Sequence, residues 1–232
     1  MQEADRGLKK GMAIMPGKDQ ISMTVVRRLP RYYRFLYGLK RDGVVRISSR
    51  ELAVHMGLTA SQIRQDLNCF GGFGQQGYGY SVEQLHAEIG HILGVNDPSP
   101  AVIIGIGNMG RAIGNYMDFD DRGVHITALF DYSEEVVGQV IRGMMVQPMG
   151  TAADYCRENG TKIAILCIPT SSAPEIVTLL INAGVKAFWN FTGYDVAYHH
   201  PETVAENVHL NDSLMTLSYS LRKRETDEAD AI

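Results

Sequence analysis

The stretch Ala101-Val-Ile-Ile-Gly105-Ile-Gly107-Asn-Met-Gly110 decides the fold. A short apolar run enters a G-x-G-x-x-G turn, and helical periodicity follows, with small residues at Ala112 and Gly114. The glycines alone are a weak signal. After a strand and at the start of a helix they mark a dinucleotide-binding βαβ unit. The first glycine makes the tight turn, the second lets a pyrophosphate approach the backbone, and the third lets helix and strand pack closely. The helix N-terminus then turns N–H donors and a positive dipole end toward phosphates. Gly105, Ile106, Gly107, Asn108, Met109 and Gly110 are therefore candidate cofactor contacts. Asp131 closes the next apolar run, His125–Phe130, and stands 21 residues past Gly110. That spacing suits acceptance from an adenosine ribose 2′-hydroxyl. A carboxylate there repels a 2′-phosphate, and Tyr132, not arginine, follows it. NAD(H) is favoured over NADP(H). The alternative is a glycine-rich strand–helix turn that holds no ligand.

Downstream, strands at Lys162–Ile168 and Ala187–Phe191 alternate with helical stretches. Alternation of this kind predicts an α/β fold with a doubly wound, Rossmann-type parallel sheet. Residues 211–225 return to helical period with Leu214, Leu217 and Leu221 on one face, and residues 226–232 form an acidic tail.

Upstream the texture differs. Asn96-Asp-Pro-Ser-Pro100 reads as a linker. Ser22–Lys40 has helical period, with Pro30 early enough for a first turn. Ser48-Ser-Arg-Glu51 and Thr59-Ala-Ser-Gln62 fit capping boxes for two short helices separated by Gly57. That is a helix-turn-helix layout. In Phe70–Tyr80 five glycines interleave with aromatics, which reads as a β-hairpin, or wing. The expected organisation is a flexible tail (1–20), an N-terminal winged helix-turn-helix domain (21–95), a Rossmann domain (96–210), a C-terminal helix (211–225) and an acidic tail (226–232).

The chain has 232 residues, 45% hydrophobic and 21% charged, enough to build a core and too apolar for wholesale disorder. Its net charge of −4 hides an asymmetry. The first 80 residues carry 13 Lys and Arg against 6 Asp and Glu; the rest carry 9 against 20. A basic front points to a polyanion partner. On the second capped helix Ser61, Gln62, Arg64, Gln65 and Asn68 are candidates for base edges. Arg28, Arg31 and Arg50 suit phosphates, and Gln75, Gln76 and Tyr78 on the wing suit the backbone or minor groove. The alternative is an oligomerisation domain with a solvated basic face. Three cysteines (Cys69, Cys156, Cys167) without metal-ligand spacing argue against a disulfide scaffold or zinc module. No apolar run approaches the ~20 residues of a membrane span, and no signal peptide is visible. A cytoplasmic protein is expected. There is no Tyr-x-x-x-Lys pair, and none of the seven histidines is marked as catalytic, so no catalytic residue is assigned.

Five segments stand in order along the chain: Arg28-Leu-Pro-Arg-Tyr-Tyr-Arg-Phe-Leu36, Ile63-Arg-Gln-Asp-Leu67, Phe73-Gly-Gln-Gln-Gly-Tyr-Gly-Tyr80, Gly105-x-Gly107-Asn-x-Gly110 and Leu166-Cys-Ile-Pro169. With them the chain resembles the Rex family of redox-sensing bacterial repressors over roughly residues 18–222. The resemblance implies a homodimer without enzymatic activity, bound to a near-palindromic double-stranded operator. It implies that residues 211–224 form a helix swapped onto the partner, a surface that Leu214, Leu217 and Leu221 need in any case. NADH binding would close the dimer and release DNA, and NAD⁺ would leave it DNA-competent. The genes repressed would be those of fermentation and NADH reoxidation. Discrimination between the two cofactor forms would sit around the nicotinamide, near Tyr116, Ile168 and Pro169.

The chain departs from the family pattern in four places. Gln65 and Gln76 stand where basic residues are common, and Gly193 where proline is common. The interdomain switch of the family uses an aspartate that pairs with a tyrosine or an arginine. Tyr116 and Arg34 match the two partners, but His209 stands at the aspartate position. Two rival readings are an NAD-dependent oxidoreductase with a basic accessory domain, and a binder of another adenine nucleotide such as coenzyme A.

Overall fold

The computed structural model describes residues 22–69, 74–75, 78–116, 119 and 122–229. The chain divides into two compact units at Leu93/Gly94.

The first unit holds helices α1 (Met23–Val26), α2 (Leu29–Arg41), α3 (Ser49–Met56), α4 (Ala60–Asn68) and α5 (Val82–Leu93). Its small antiparallel sheet has the order β1-β3-β2, from Arg46–Ile47, Gly79–Ser81 and Gly74–Gln75. The single helix expected over Ser22–Lys40 is two helices, broken at Arg27–Arg28. Pro30 lies in the first turn of α2, where its missing N–H costs nothing. The capping box is complete: Ser48 N–H donates to Glu51 Oε2 (2.8 Å) and Glu51 N–H to Ser48 Oγ (3.2 Å). Gly57 then ends α3 in the left-handed region (φ 63°). Thr59 caps α4 through the N–H of Gln62 (3.1 Å). The inward faces of α2 to α5, with Leu36, Leu52, Ile63, Leu67 and Leu85, make one core.

The second unit is a seven-stranded sheet in the order β10-β9-β8-β4-β5-β7-β6. In chain order the strands are β4 (Ser99–Ile104), β5 (Val124–Asp131), β6 (Val140–Ile141), β7 (Met144–Pro148), β8 (Ile163–Leu166), β9 (Ala187–Asn190) and β10 (Val204–Asn207). All pair in parallel except β6. Alternation along β4 builds a core on each face: Val102 and Ile104 pack with Phe130 and Leu166, Ile103 with Leu129 and Ile165. Helices α6 (Asn108–Tyr116), α7 (Ala152–Glu158), α8 (Ala173–Asn182), α9 (Val196–His199) and α10 (Leu210–Ala229) complete the unit.

The parallel sheet is as expected, but β1, β6, β7 and β10 were not anticipated. The β6–β7 hairpin turns through Arg142 (φ 47°) and Gly143 (φ 80°). Arginine in a left-handed position hides a turn that Asn-Gly would have announced. The strand β8 stops at Leu166, short of the Ile168 expected, because the chain bends away toward Pro169. The last helix runs on to Ala229, through part of the expected acidic tail. Arg224 there pairs with Glu228 one turn on (2.9 Å). No helix among the described residues is long and apolar enough to cross a membrane.

Candidate nucleotide cleft and DNA-reading face

Sheet order reverses at β4: β5 and β7 lie to one side, β8, β9 and β10 to the other. In such sheets the ligand crevice opens beyond the C-terminal ends of the strands at that switch point. A cleft of about 730 Å³ lies there. Gly105, Gly107, Asp131, Tyr132, Ile168 and Pro169, all expected at the cofactor, line it.

Each glycine has a distinct role. Gly105 has φ +88°, and a Cβ there would meet the Cys167 carbonyl oxygen at 2.5 Å. A Cβ on Gly110 would collide with the Gly105 carbonyl oxygen. One on Gly107 would meet nothing within 4 Å, so this is the open side of the turn. The first turn of α6 presents backbone N–H groups from Asn108 and Met109, both exposed.

Ile106 differs from expectation. Its side chain is buried in the core, and its N–H donates to Asp131 Oδ2 (2.5 Å), not toward a ligand. Ser133 N–H donates to Asp131 Oδ1 (2.8 Å). The carboxylate thus ties the end of β5 to the glycine turn and keeps lone pairs for a ribose hydroxyl. Tyr116 ends α6, and its side chain lies outside the described residues. Besides Ile104 at the end of β4, sequence reading missed Ser133, Met149, Cys167, Ser172, Glu175 and Ile176 in the walls. They come from segments after β5, β7 and β8, and no local motif marks them. Burial pushes the Cys167 thiol up to about 12, so it is a neutral apolar wall. Gly193 N–H donates to Thr170 Oγ1 (3.0 Å), a bond that a proline has no hydrogen to make.

On the first unit, Ser61, Arg64, Gln65 and Asn68 are exposed on α4, Arg31 is exposed on α2 and Arg50 on α3. Arg64 donates to Ser49 Oγ (3.2 Å). Arg28, expected at a phosphate, instead forks onto Asp66 with two bonds of 2.7 Å. Gln62, expected at a base edge, is half-buried and donates to the same carboxylate (3.2 Å). Tyr78 is exposed at the wing, with the Arg46 guanidinium 5.9 Å from its ring and Arg46 Nε donating to its carbonyl (3.0 Å). Arg46 was not foreseen, because a lone arginine on a two-residue strand carries no pattern. Gln75 lies on β2 with its side chain outside the described residues, and Gln76 is outside them altogether. Of the residues expected to form the switch, Arg34 is exposed on α2 and His209 is exposed just before α10.

A family model described as "Putative DNA-binding protein N-terminus" matches residues 20–68, and one described as "CoA binding domain" matches residues 96–194. The Redox-sensing transcriptional repressor Rex of Clostridium botulinum (strain Hall / ATCC 3502 / NCTC 13319 / Type A) is 46% identical over 211 residues, covering 91% of this chain and 100% of that protein. The chain belongs to the Rex family. The Rex of Clostridioides difficile (strain 630) is 49% identical over 209 residues, 90% of this chain and 99% of that protein. Two solved structures are also similar. RSP in complex with beta-NAD+ and operator DNA aligns with a TM-score of 0.82 and 47% identity, over 91% of this chain and 97% of that chain. RSP in complex with beta-NADH aligns at 0.83 and 44%, over 91% and 99%. Both curated relatives are named as redox-sensing transcriptional repressors.

Proposed function

We propose that this member of the Rex family is a transcriptional repressor that holds a double-stranded operator through its winged helix and releases it when NADH enters the cleft. The observation that carries this is one chain with two sites: a glycine turn closed by Asp131 in one unit, and a capped helix-turn-helix in the other. RSP, with beta-NAD+ and operator DNA in one complex, supports the reading. Working on DNA and a dinucleotide pool, the protein acts in the cytoplasm.

The cofactor is NADH or NAD⁺. Gly105, Gly107 and the N–H groups of Asn108 and Met109 take the pyrophosphate, Asp131 the ribose, and Ile168 and Pro169 a ring. On the DNA side Ser61, Arg64, Gln65 and Asn68 face the groove, and Arg31 and Arg50 the phosphates. A second copy covers α10, making a homodimer that reads a near-palindrome. Arg34, Tyr116 and His209 form the switch. A histidine carries no negative charge, so His209 cannot pair with Arg34 as an aspartate would.

The energetic logic is linkage. If NADH binds the DNA-incompatible state better, DNA weakens NADH by the same factor. A tenfold effect corresponds to about 1.4 kcal/mol of coupling. The match to a CoA-binding domain raises coenzyme A as a second ligand. Its ribose 3′-phosphate would meet the Asp131 carboxylate, which disfavours it.

The test is an anisotropy titration of a duplex from the chain's own upstream region, alone and with NADH, NAD⁺ or coenzyme A. NADH is expected to weaken binding at least tenfold, with NAD⁺ and coenzyme A having little effect. Equal affinity with and without saturating NADH rejects the sensor.

A further inference from the structure

Among the described residues of the first unit, one buried carboxylate accepts four side-chain hydrogen bonds. Asp66 lies on α4, the helix that carries the base-reading candidates, yet it points inward and is 1% exposed. Its Oδ2 accepts from Arg28 Nε (2.7 Å) and the Tyr32 hydroxyl (2.9 Å). Its Oδ1 accepts from Arg28 Nη2 (2.7 Å) and Gln62 Nε2 (3.2 Å). Four donors fill the four lone-pair positions of an ionised carboxylate.

The donors come from three places: the break between α1 and α2, the second turn of α2, and one turn earlier on α4 itself. A carboxylate only accepts, so the Gln62 amide nitrogen must face inward, and its carbonyl oxygen is turned away from Asp66. An arginine fork onto a carboxylate fixes both distance and plane, which a single contact does not. The apolar core buries Ile63 and Leu67 of α4, but non-directional contacts fix its orientation less sharply than hydrogen bonds do. The polar node adds four directional bonds at Asp66, three of them from residues outside α4. Burial alone would raise the Asp66 pKa, but the bonds from Arg28, Gln62 and Tyr32 outweigh it and hold the carboxyl low, so it stays charged.

We propose that Asp66 is a positioning residue for operator binding, which aligns α4 through Arg28 and Tyr32 and orients Gln62, and that Arg28 makes no phosphate contact. The inference rests on the reading of α4 as the DNA-contacting helix.

The test is salt-dependent binding of the full chain to a duplex that the wild-type chain selects from a randomised pool. Folded state is checked by circular dichroism, and NADH affinity is measured in parallel. Each phosphate contact adds ~0.9 to the slope of log affinity against log salt. Arg31→Ala is expected to lower the slope by that amount. Arg28→Lys keeps the charge that a phosphate needs but loses the fork, and is expected to weaken binding about tenfold with the slope unchanged. Asp66→Asn is expected to weaken binding too, although removing a negative charge near DNA would by Coulomb's law strengthen it. NADH affinity of the free protein stays at the wild-type value in both.

A merely structural role would lower the melting temperature and leave operator affinity unchanged in folded protein. That result, or Arg28→Lys binding within twofold of wild type, or Arg28→Met lowering the slope by ~0.9, overturns the proposal. If Asp66→Asn does not fold, the Arg28 variants decide. A wild-type chain that retains no duplex removes the DNA reading itself, whereas normal wild-type binding with an unaffected Arg28→Lys removes only this inference.

Discussion

The Asp131 carboxylate accepts the backbone N–H of Ile106 at 2.5 Å, joining the end of β5 to the residue between the first two glycines of the turn. A group that sequence spacing assigns to the ligand is thus also part of the scaffold that shapes the ligand's seat. Asp131→Ala should therefore do two things at once. It leaves the Ile106 and Ser133 N–H groups without their acceptor, at about 1–3 kcal/mol. It also removes the ribose acceptor. Calorimetric titration is expected to show at least tenfold weaker NADH binding, together with a lower melting temperature. Asp131→Asn should not rescue either property, because its NH₂ faces a donor. Retention of full NADH affinity in Asp131→Ala would show that the ribose is held elsewhere.

Two glycine variants separate shape from contact. Gly110→Ala drives a methyl into the Gly105 carbonyl oxygen, so backbone has to move. A loss of about 1–3 kcal/mol in the second unit is expected, with NADH binding abolished. Gly107→Ala adds its methyl to open space. Melting should stay at the wild-type temperature while NADH affinity falls, since the methyl would stand where the proposed pyrophosphate site opens. Normal NADH binding by Gly107→Ala would remove the turn from the cofactor site.

The exposed leucines of α10 predict an oligomer. Leu214, Leu217 and Leu221 are 57–65% exposed along one face. Burying a leucine contributes roughly 1.5–3 kcal/mol, so Leu217→Asp is expected to weaken self-association by at least tenfold. Light scattering on a sizing column should find wild type as a dimer and the variant shifted toward monomer at the same loading. A monomeric wild type would contradict the proposed covering of α10.

His86 predicts an acid-sensitive first unit. Its ring stacks on Tyr33 (centroids 4.2 Å apart), with Tyr37 at 6.0 Å, and its buried Nε2 has no hydrogen-bond partner among the described residues. Burial first, and then the Lys40 charge, pull its pKa below the ordinary 6.5. The unfolded chain then binds the proton more readily than the folded one. The contribution is complete above pH 6.5 and is lost as the pH falls through the depressed folded value. His86→Phe keeps the stacking without a titrating group, so its melting temperature should vary less between pH 7 and pH 5 than that of wild type. Parallel pH curves for the two would exclude His86 as the source.

Much of this molecule was legible in its sequence because the signals are local. A glycine turn between a strand and a helix, a capping box, and a carboxylate at the end of the following strand each depend on a few neighbouring residues and on backbone sterics. Those signals fixed the order of a winged helix followed by a Rossmann sheet, and six of the residues that line the cleft. The β6–β7 hairpin was not legible, because Arg142 takes a left-handed conformation that its side chain does not advertise. Ser133, Met149, Cys167, Ser172, Glu175 and Ile176 were not legible as cleft walls, because they converge only when three separate segments, one of them running into α8, meet at the sheet's switch point.

Arg28 shows the division most sharply. By composition it is one more cation in a basic segment, fit for a phosphate. Asp66 is 38 positions away, and only folding brings its buried carboxylate within 2.7 Å of that guanidinium. Local chemistry sets which conformations and charges the chain offers. Which of those charges meet each other and which are left to face a partner is settled by packing, because burial makes an unpaired charge too costly to leave.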